Sequence, residues 1–213
     1  MKVIGINGSP RKNWNTGTLL NKVLDGVKSI GGETELINLY KLKYGGCISC
    51  FHCKKKDEKH GICAINDDLS PVLEKLKDAD SIAFASPVYF MNISSGLSAF
   101  LERFLFSNMI YSNEIPTVFP KTISSAFIYT MNITENQMRE IGLEKNLKAY
   151  QHYIYKILGM KPELLYAYNT YQFSDYNKYE SSIFSKEDKA KYKEEQFPID
   201  CKKAFDIGIN LLK

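Results

Sequence analysis

Short apolar runs alternate along this chain with longer stretches in which apolar residues recur every three or four positions. Residues 2–7 form such a run and meet Gly8-Ser9-Pro10, which predicts a strand closed by a sharp turn. Leu19, Leu20, Val23, Leu24, Val27 and Ile30 keep helical spacing over 18–30, and Gly31-Gly32 supplies the stop. Residues 34–40 alternate as a second strand. Ser70-Pro71 reads as an N-cap and first-turn proline opening a helix as far as Ala79. A third strand is expected over 81–88. Ser94 or Ser95 then caps a helix whose Leu97, Phe100, Leu101, Phe104 and Leu105 hold one face. A fourth strand over 122–131 precedes a helix carrying Leu143, Leu147, Tyr150, Ile154, Ile157 and Leu158, stopped at Gly159. A fifth strand follows over 164–173. Ser185-Lys186-Glu187-Asp188 has the form of a capping box. The helix it opens is expected to break at Pro198, leaving a last piece that buries Cys201, Ala204 or Phe205, Gly208 and Leu212.

Strand–helix alternation of this kind implies an α/β fold: a parallel sheet with right-handed crossovers and helices on both faces. One domain is expected over 1–213, with a Cys-rich insertion at about 44–68 and an aromatic-rich C-terminal extension at about 166–213. In such sheets ligands bind beyond the carboxyl ends of the strands, where the winding direction reverses. The loops after the first, third and fourth strands are therefore the places to look for function.

Composition narrows the classes. The 213 residues are 44% hydrophobic and 24% charged, which excludes collagen-like, disordered and disulfide-scaffold chains. Lys and Arg number 28 against 24 Asp and Glu, a net charge of +4 that is too mild for a dedicated nucleic-acid binder. No long apolar run offers a membrane span, and the N-terminal stretch is shorter than a signal core, so a cytoplasmic protein is expected. Five cysteines, four of them crowded into one segment, read as metal ligands or free thiols rather than disulfides.

The first loop, Ser9-Pro10-Arg11-Lys12-Asn13-Trp14-Asn15-Thr16-Gly17-Thr18, gathers hydroxyls, amides and two cations where a helix start leaves N–H groups unpaired. Ten residues exceed what a strand–helix connection needs. It is neither a nucleoside-triphosphate loop nor a dinucleotide fingerprint, and it suits a phosphate monoester. After the third strand, Tyr89 and Phe90 offer apolar walls for a flat ring, although both could equally anchor the next helix.

These two segments also carry a resemblance. Gly8-Ser9-Pro10-Arg11-Lys12-Asn13 with Asn15-Thr16 resembles the phosphate loop of NAD(P)H-dependent FMN reductases in the flavodoxin-like superfamily. Pro87-Val88-Tyr89-Phe90 and Asn92-Ile93-Ser94, ahead of Leu97 and Phe100-Leu101-Glu102-Arg103, resemble that group's isoalloxazine-side segment. The resemblance implies a flavodoxin-like, doubly wound five-stranded parallel sheet in the order 2-1-3-4-5. It also implies FMN, with Ser9, Arg11, Asn15, Thr16 and Thr18 around its phosphate. Pro87, Val88, Tyr89, Phe90, Asn92 and Ile93 would lie along its ring. Trp14 stands where the group usually has glycine, a costly choice if that position needs positive φ. Met91 is a milder departure. The loop after the fourth strand, 130–134, lacks the group's usual glycines, so no site residue is expected from it.

Cys47-x2-Cys50-x2-Cys53, followed by Cys63, resembles the motif of iron–sulfur flavoproteins, with Lys54-Lys55-Lys56 to offset cluster charge. Gly61-Ile62-Cys63 and Asp67-Asp68 resemble plain reductases instead. Free or structural thiols, an iron–sulfur cluster, and zinc with His52 and His60 as spare ligands all stay open. Residues 54–59 would otherwise be a solvated charged loop. The tyrosine-rich tail from Tyr166 to Tyr179 suits ring packing, an oligomer contact or a lid. The leading expectation is thus an FMN oxidoreductase that takes hydride from NADH or NADPH and passes electrons to a quinone, a flavin or another small acceptor. It would be a homodimer or homotetramer without nucleic-acid or membrane partners. An iron–sulfur flavoprotein or flavodoxin-type carrier is the alternative.

Overall fold

The computed structural model describes residues 1–56, 60–114 and 116–213. Five parallel strands form the sheet: β1 (Lys2–Asn7), β2 (Glu33–Asn38), β3 (Ser81–Tyr89), β5 (Ser124–Thr130) and β6 (Glu163–Ala167), in the order β2-β1-β3-β5-β6. A two-residue strand, β4 (Asn92–Ile93), folds back antiparallel on the tip of β3. Setting that hairpin aside, the order is the flavodoxin-like 2-1-3-4-5, and the winding reverses between β1 and β3.

Alternation along each strand divides the sheet's faces by size. Ile4, Ile6, Phe84, Phe127 and Tyr129 point to one face and are fully buried under α3 (Ser95–Asn108), α5 (Leu143–Leu158) and α2 (Ser70–Leu76). Val3, Ala83, Ala85, Ala126 and Ile128 point to the other, beneath α1 (Asn15–Ser29) and α7 (Phe197–Asn210). The small side chains there let α1 and α7 close on the sheet and on each other. At their crossing a Cβ on Gly26 would stand 2.0 Å from the Phe205 carbonyl oxygen, so only glycine fits.

Several expectations need correcting. Helix α1 begins at Asn15, three residues early, because the loop closes on its first turn through the bond from Thr18 N to Trp14 O. Ser70 does not cap α2. Its hydroxyl instead donates to the Ile65 carbonyl at 2.6 Å and accepts from Asp67 N, holding the end of the Cys-rich segment. Strand β6 ends at Ala167 because its ladder partner, β5, ends opposite at Thr130. Asn169 then takes φ 46° and the chain turns across the strand tips. Pro198 does not break the last helix. A π-turn over Tyr192–Gln196 joins α6 (Lys186–Lys191) to α7 and leaves Pro198 in a first turn, where a missing N–H is tolerated. In that last piece Ala204 and Gly208 are buried, while Cys201, Phe205 and Leu212 are half-buried. A short helix, α4 (Glu135–Glu140), opens on an unexpected capping box of Thr134 and Gln137.

Candidate functional site

The tips of β1, β3 and β5 surround a cleft of about 70 Å³ at the reversal point. Its floor is knitted to the core. Asn7 Oδ1 accepts from Ser9 N at 3.0 Å, and Gly8 N donates to the Ala85 carbonyl at 2.8 Å. Ser94 caps α3 by accepting from Leu97 N, and its hydroxyl also donates to the Gly8 carbonyl at 2.5 Å. The β1–α1 loop then folds over the start of α1 so tightly that a Cβ on Gly17 would lie 1.8 Å from the Lys12 carbonyl oxygen. No side chain caps α1, and no acid occupies its first turn. The helix start is left electropositive, with orphan N–H groups.

Ser9, Arg11, Asn15 and Thr16 line this cleft, as do Pro87, Val88 and Tyr89. The other four expected flavin neighbours are not brought into it. Thr18 lies a turn further along α1. Ile93 points into the core, Asn92 is exposed, and Phe90 stands fully exposed at the hairpin tip. The tip is strained: Phe90 and Met91 take φ 47° and 64°, the pair of positive angles a two-residue hairpin demands, without glycine at either. Trp14 escapes the cost foreseen for it. Its φ is −107°, and its indole Nε1 donates to the Tyr171 carbonyl at 3.1 Å.

The fourth loop contributes after all. Thr130, Met131 and Asn132 line the cleft, and Thr130 Oγ1 meets Thr16 Oγ1 at 2.7 Å. Among the described residues, Asn132 Oδ1 is buried without a hydrogen-bond partner. A buried acceptor in that state is open to a donor from outside the chain. The C-terminal extension closes the far side with Thr170 and Gln172. Its main chain takes three donors of the first loop: Arg11 Nη1 reaches the Gln172 carbonyl at 2.8 Å, and Asn15 Nδ2 joins Trp14 at the Tyr171 carbonyl. The tail's rings pack among themselves, with Phe173 stacked on Tyr179 at 4.4 Å and Tyr176 edge-on to both Tyr171 and Phe173. Lys189, 1% exposed, ties the extension down by donating to the Asn132 carbonyl and to Asn169 Oδ1. Burial lowers its pKa to about 8.

As closed by Thr170 and Gln172, the cleft has space for a phosphate group but is smaller than the roughly 300–1,000 Å³ of small-molecule pockets. The donor set of hydroxyls, amides and one guanidinium, with the orphan acceptor of Asn132, fits a phosphate joined to a hydrogen-bonding ring.

A second constellation lies along α3. The insertion is stapled to that helix by Tyr44 OH donating to the Gly96 carbonyl, Cys47 N donating to Glu102 Oε2, and Arg103 paired with Asp67 at 2.6 Å. Cys47, Cys50, Cys53 and Cys63 all line one apolar pocket with Arg103 and Phe106, whereas His52 and His60 do not. Among the described residues, no three or more His, Cys, Asp and Glu stand close enough to hold one metal ion. Burial raises the Cys53 thiol pKa, and the nearby Lys54 charge opposes that rise. Lys54 is not a free counter-charge, however. Its amine caps the end of α3 at the Phe106 and Met109 carbonyls. Asp57, Glu58 and Lys59 of the expected charged loop lie outside the described residues. Cys201 packs against the α1–α7 side of the core, away from the other thiols. Among the described residues no helix is long and apolar enough to cross a membrane.

Residues 1–117 match the family model described as NADPH-dependent FMN reductase. An iron–sulfur flavoprotein of Methanocaldococcus jannaschii is 43% identical over 103 residues, 48% of this chain and 51% of that protein. One from Archaeoglobus fulgidus is 27% identical over 162 residues, 76% of this chain and 66% of the relative. These alignments span between half and two thirds of the relatives' lengths. Among solved structures, an NAD(P)H:quinone oxidoreductase from Methanothermobacter marburgensis superposes with a TM-score of 0.71 at 15% identity, covering 100% of this chain and 98% of that one. At that identity the likeness is one of fold.

Proposed function

From membership of the NADPH-dependent FMN reductase family of flavin-dependent oxidoreductases, to which this chain belongs, we propose that it takes hydride from NADH or NADPH and passes electrons to a small acceptor such as a quinone or free flavin. One observation carries the reading. The polar donors of the β1–α1 loop, the tip of β3 and an unpartnered buried acceptor all converge on the crevice at the winding reversal. FMN bound there supplies the hydride-accepting chemistry. The chain's own part is binding and orientation. Ser9, Arg11, Asn15 and Thr16 hold the phosphate, aided by the open start of α1. Pro87, Val88 and Tyr89 wall the ring side, and Asn132 Oδ1 accepts from a ring N–H. Arg11 and Asn15 each carry N–H groups beyond those given to the Gln172 and Tyr171 carbonyls, and these are what they offer the phosphate. Anaerobic mixing of the FMN-loaded protein with NADH and with NADPH tests the proposal. Rapid loss of the oxidised flavin's visible absorbance is expected with one or both. Persistence of that absorbance with both would make the protein a carrier rather than a reductase.

The thiol pocket supports a second reading, in which the same protein also holds an iron–sulfur cluster on Cys47, Cys50, Cys53 and Cys63. Four thiols converging on one cavity, with a buried guanidinium N–H left unpartnered beside them, favour an anionic sulfur-bound group. Each thiolate of a cluster binds a different iron, which suits thiols set too wide for a single ion. The similarity to proteins named iron–sulfur flavoproteins points the same way.

A further inference from the structure

Arg103 is 1% exposed, yet it has only part of its hydrogen bonding satisfied from within the chain. Nη1 donates to Asp67 Oδ2 at 2.6 Å and to the Gly45 carbonyl at 3.4 Å, while Nη2 donates to the Ile65 carbonyl at 3.2 Å. These bonds fix the plane of the guanidinium. Two donors are left over, a second N–H on Nη2 and Nε–H, and Nε–H is buried with no partner among the described residues. The side chain lines the pocket shared by all four clustered cysteines, and the Cys63 sulfur lies within hydrogen-bonding reach of the guanidinium and favours its charge. A charged donor held in this state costs stability unless something in the pocket accepts from it. Lys54, whose charge acts on Cys53, has its amine committed to the carbonyls at the end of α3.

We propose that Arg103 Nε–H donates to a sulfur of the iron–sulfur group held by these cysteines, either a thiolate or an inorganic sulfide, and thereby raises its reduction potential. The inference rests on the second reading above. Reduction adds negative charge to the cluster, and a fixed, desolvated cationic donor stabilises the more negative state. Asp67 acts in the opposite sense. Its carboxylate, 2.6 Å from Nη1, partly neutralises the guanidinium and holds it in place. Arg103 is thus a tuning and positioning residue, with Asp67 setting how much of its charge the cluster feels.

The experiment uses the full chain, reconstituted anaerobically with ferrous iron and sulfide. Bound iron and sulfide are counted, and the potential is read by electron paramagnetic resonance during redox titration. The wild type, Arg103→Lys and Asp67→Asn are compared, with circular dichroism checking the fold of each. The wild type is expected to hold a cluster. Arg103→Lys keeps a positive charge but loses Nε–H, and should disfavour the reduced cluster about tenfold, a downward shift of about 59 mV for one electron. Asp67→Asn should shift the potential upward. A merely structural role for the pair would lower cluster content in both variants without shifts of opposite sign. An unchanged potential in Arg103→Lys, or shifts of the same sign, overturns the proposal while leaving the cluster reading intact. If Arg103→Lys holds no cluster, Asp67→Asn decides alone: a raised potential upholds the proposal, and an unchanged or lowered one refutes it. A wild-type chain that takes up no iron ends both.

Discussion

Replacing Arg11 and Thr16 together by alanine isolates the phosphate end of the proposed flavin site. Arg11 is exposed, and its guanidinium already serves the Gln172 carbonyl at 2.8 Å and stacks 4.9 Å from the Trp14 ring. A surface guanidinium already shared with that carbonyl offers the phosphate a bond at the low end of the charge-assisted range, about 1.5 kcal/mol. Thr16 is buried and its hydroxyl shares one bond with Thr130, so a bond to phosphate adds about 1 kcal/mol. Together these come to about 2.5 kcal/mol, or roughly a 60-fold rise in the FMN dissociation constant. The fold should survive, because Arg11 lies on the surface and Thr16→Ala removes one hydroxyl from a turn whose main-chain bonds remain. The assay is flavin fluorescence quenching, titrated with FMN and, in parallel, with riboflavin. Riboflavin has no phosphate, so its affinity should hardly change. Equal losses for both ligands would mean that the variant damages the ring side or the fold. No loss for FMN would place the phosphate elsewhere and remove the β1–α1 loop from the site.

Two further outcomes follow from the packing around the same cleft. Gly17→Ala must push the Lys12 carbonyl out of a 1.8 Å contact, which re-routes the loop. FMN affinity should fall at least about tenfold, for a stability loss of about 1–3 kcal/mol in a urea melt; unchanged affinity would show that the loop's path is irrelevant to binding. Lys189 gives a pH signature. Its amine has a pKa lowered to about 8 by burial, against about 10.4 unfolded. Below pH 8 both states carry the proton and the full penalty of a buried charge applies. Between pH 8 and 10 the unfolded chain binds more protons, so stability rises with pH. Thermal melts should show wild type gaining on Lys189→Met across that window, by at most about 3 kcal/mol, and parallel curves would refute the assignment.

The sheet was legible because its two faces differ so plainly in side-chain size. Ile and Phe on one face of β1, β3 and β5 and Val and Ala on the other leave few alternatives once the helices between them are read. The polar lining that the β1–α1 loop gives the cleft was legible because its donors are contiguous in sequence. What the sequence concealed is what long-range contact decides. Asn132, Thr170 and Gln172 enter the cleft only because β6 stops at Ala167 and the chain turns at Asn169, and no periodicity marks that turn. Phe90 looks like a wall for a ring until the hairpin is built. The pairing of Val88 with Ile93 sends Ile93 into the core and leaves Phe90 at the exposed tip. Pro198 carries a strong local signal to stop, and a π-turn just ahead of it absorbs the signal.

Helix α3 joins the two sites, and this governs how variants at either should be read. Ser94 caps its start and ties it to Gly8 in the floor of the cleft, while Arg103, nine positions on, lines the thiol pocket. At about 1.5 Å per residue the two anchor points stand roughly 13 Å apart along a rigid element. Perturbations at that separation with no shared partner add independently. The partners are indeed separate: Ser94 bonds to Gly8, Ser86 and Leu97, and Arg103 to Asp67, Gly45 and Ile65. A loss of flavin affinity after substitution at Arg103 would therefore report damage to α3 itself, whereas a shift in cluster potential with flavin affinity unchanged would report the charge on the guanidinium.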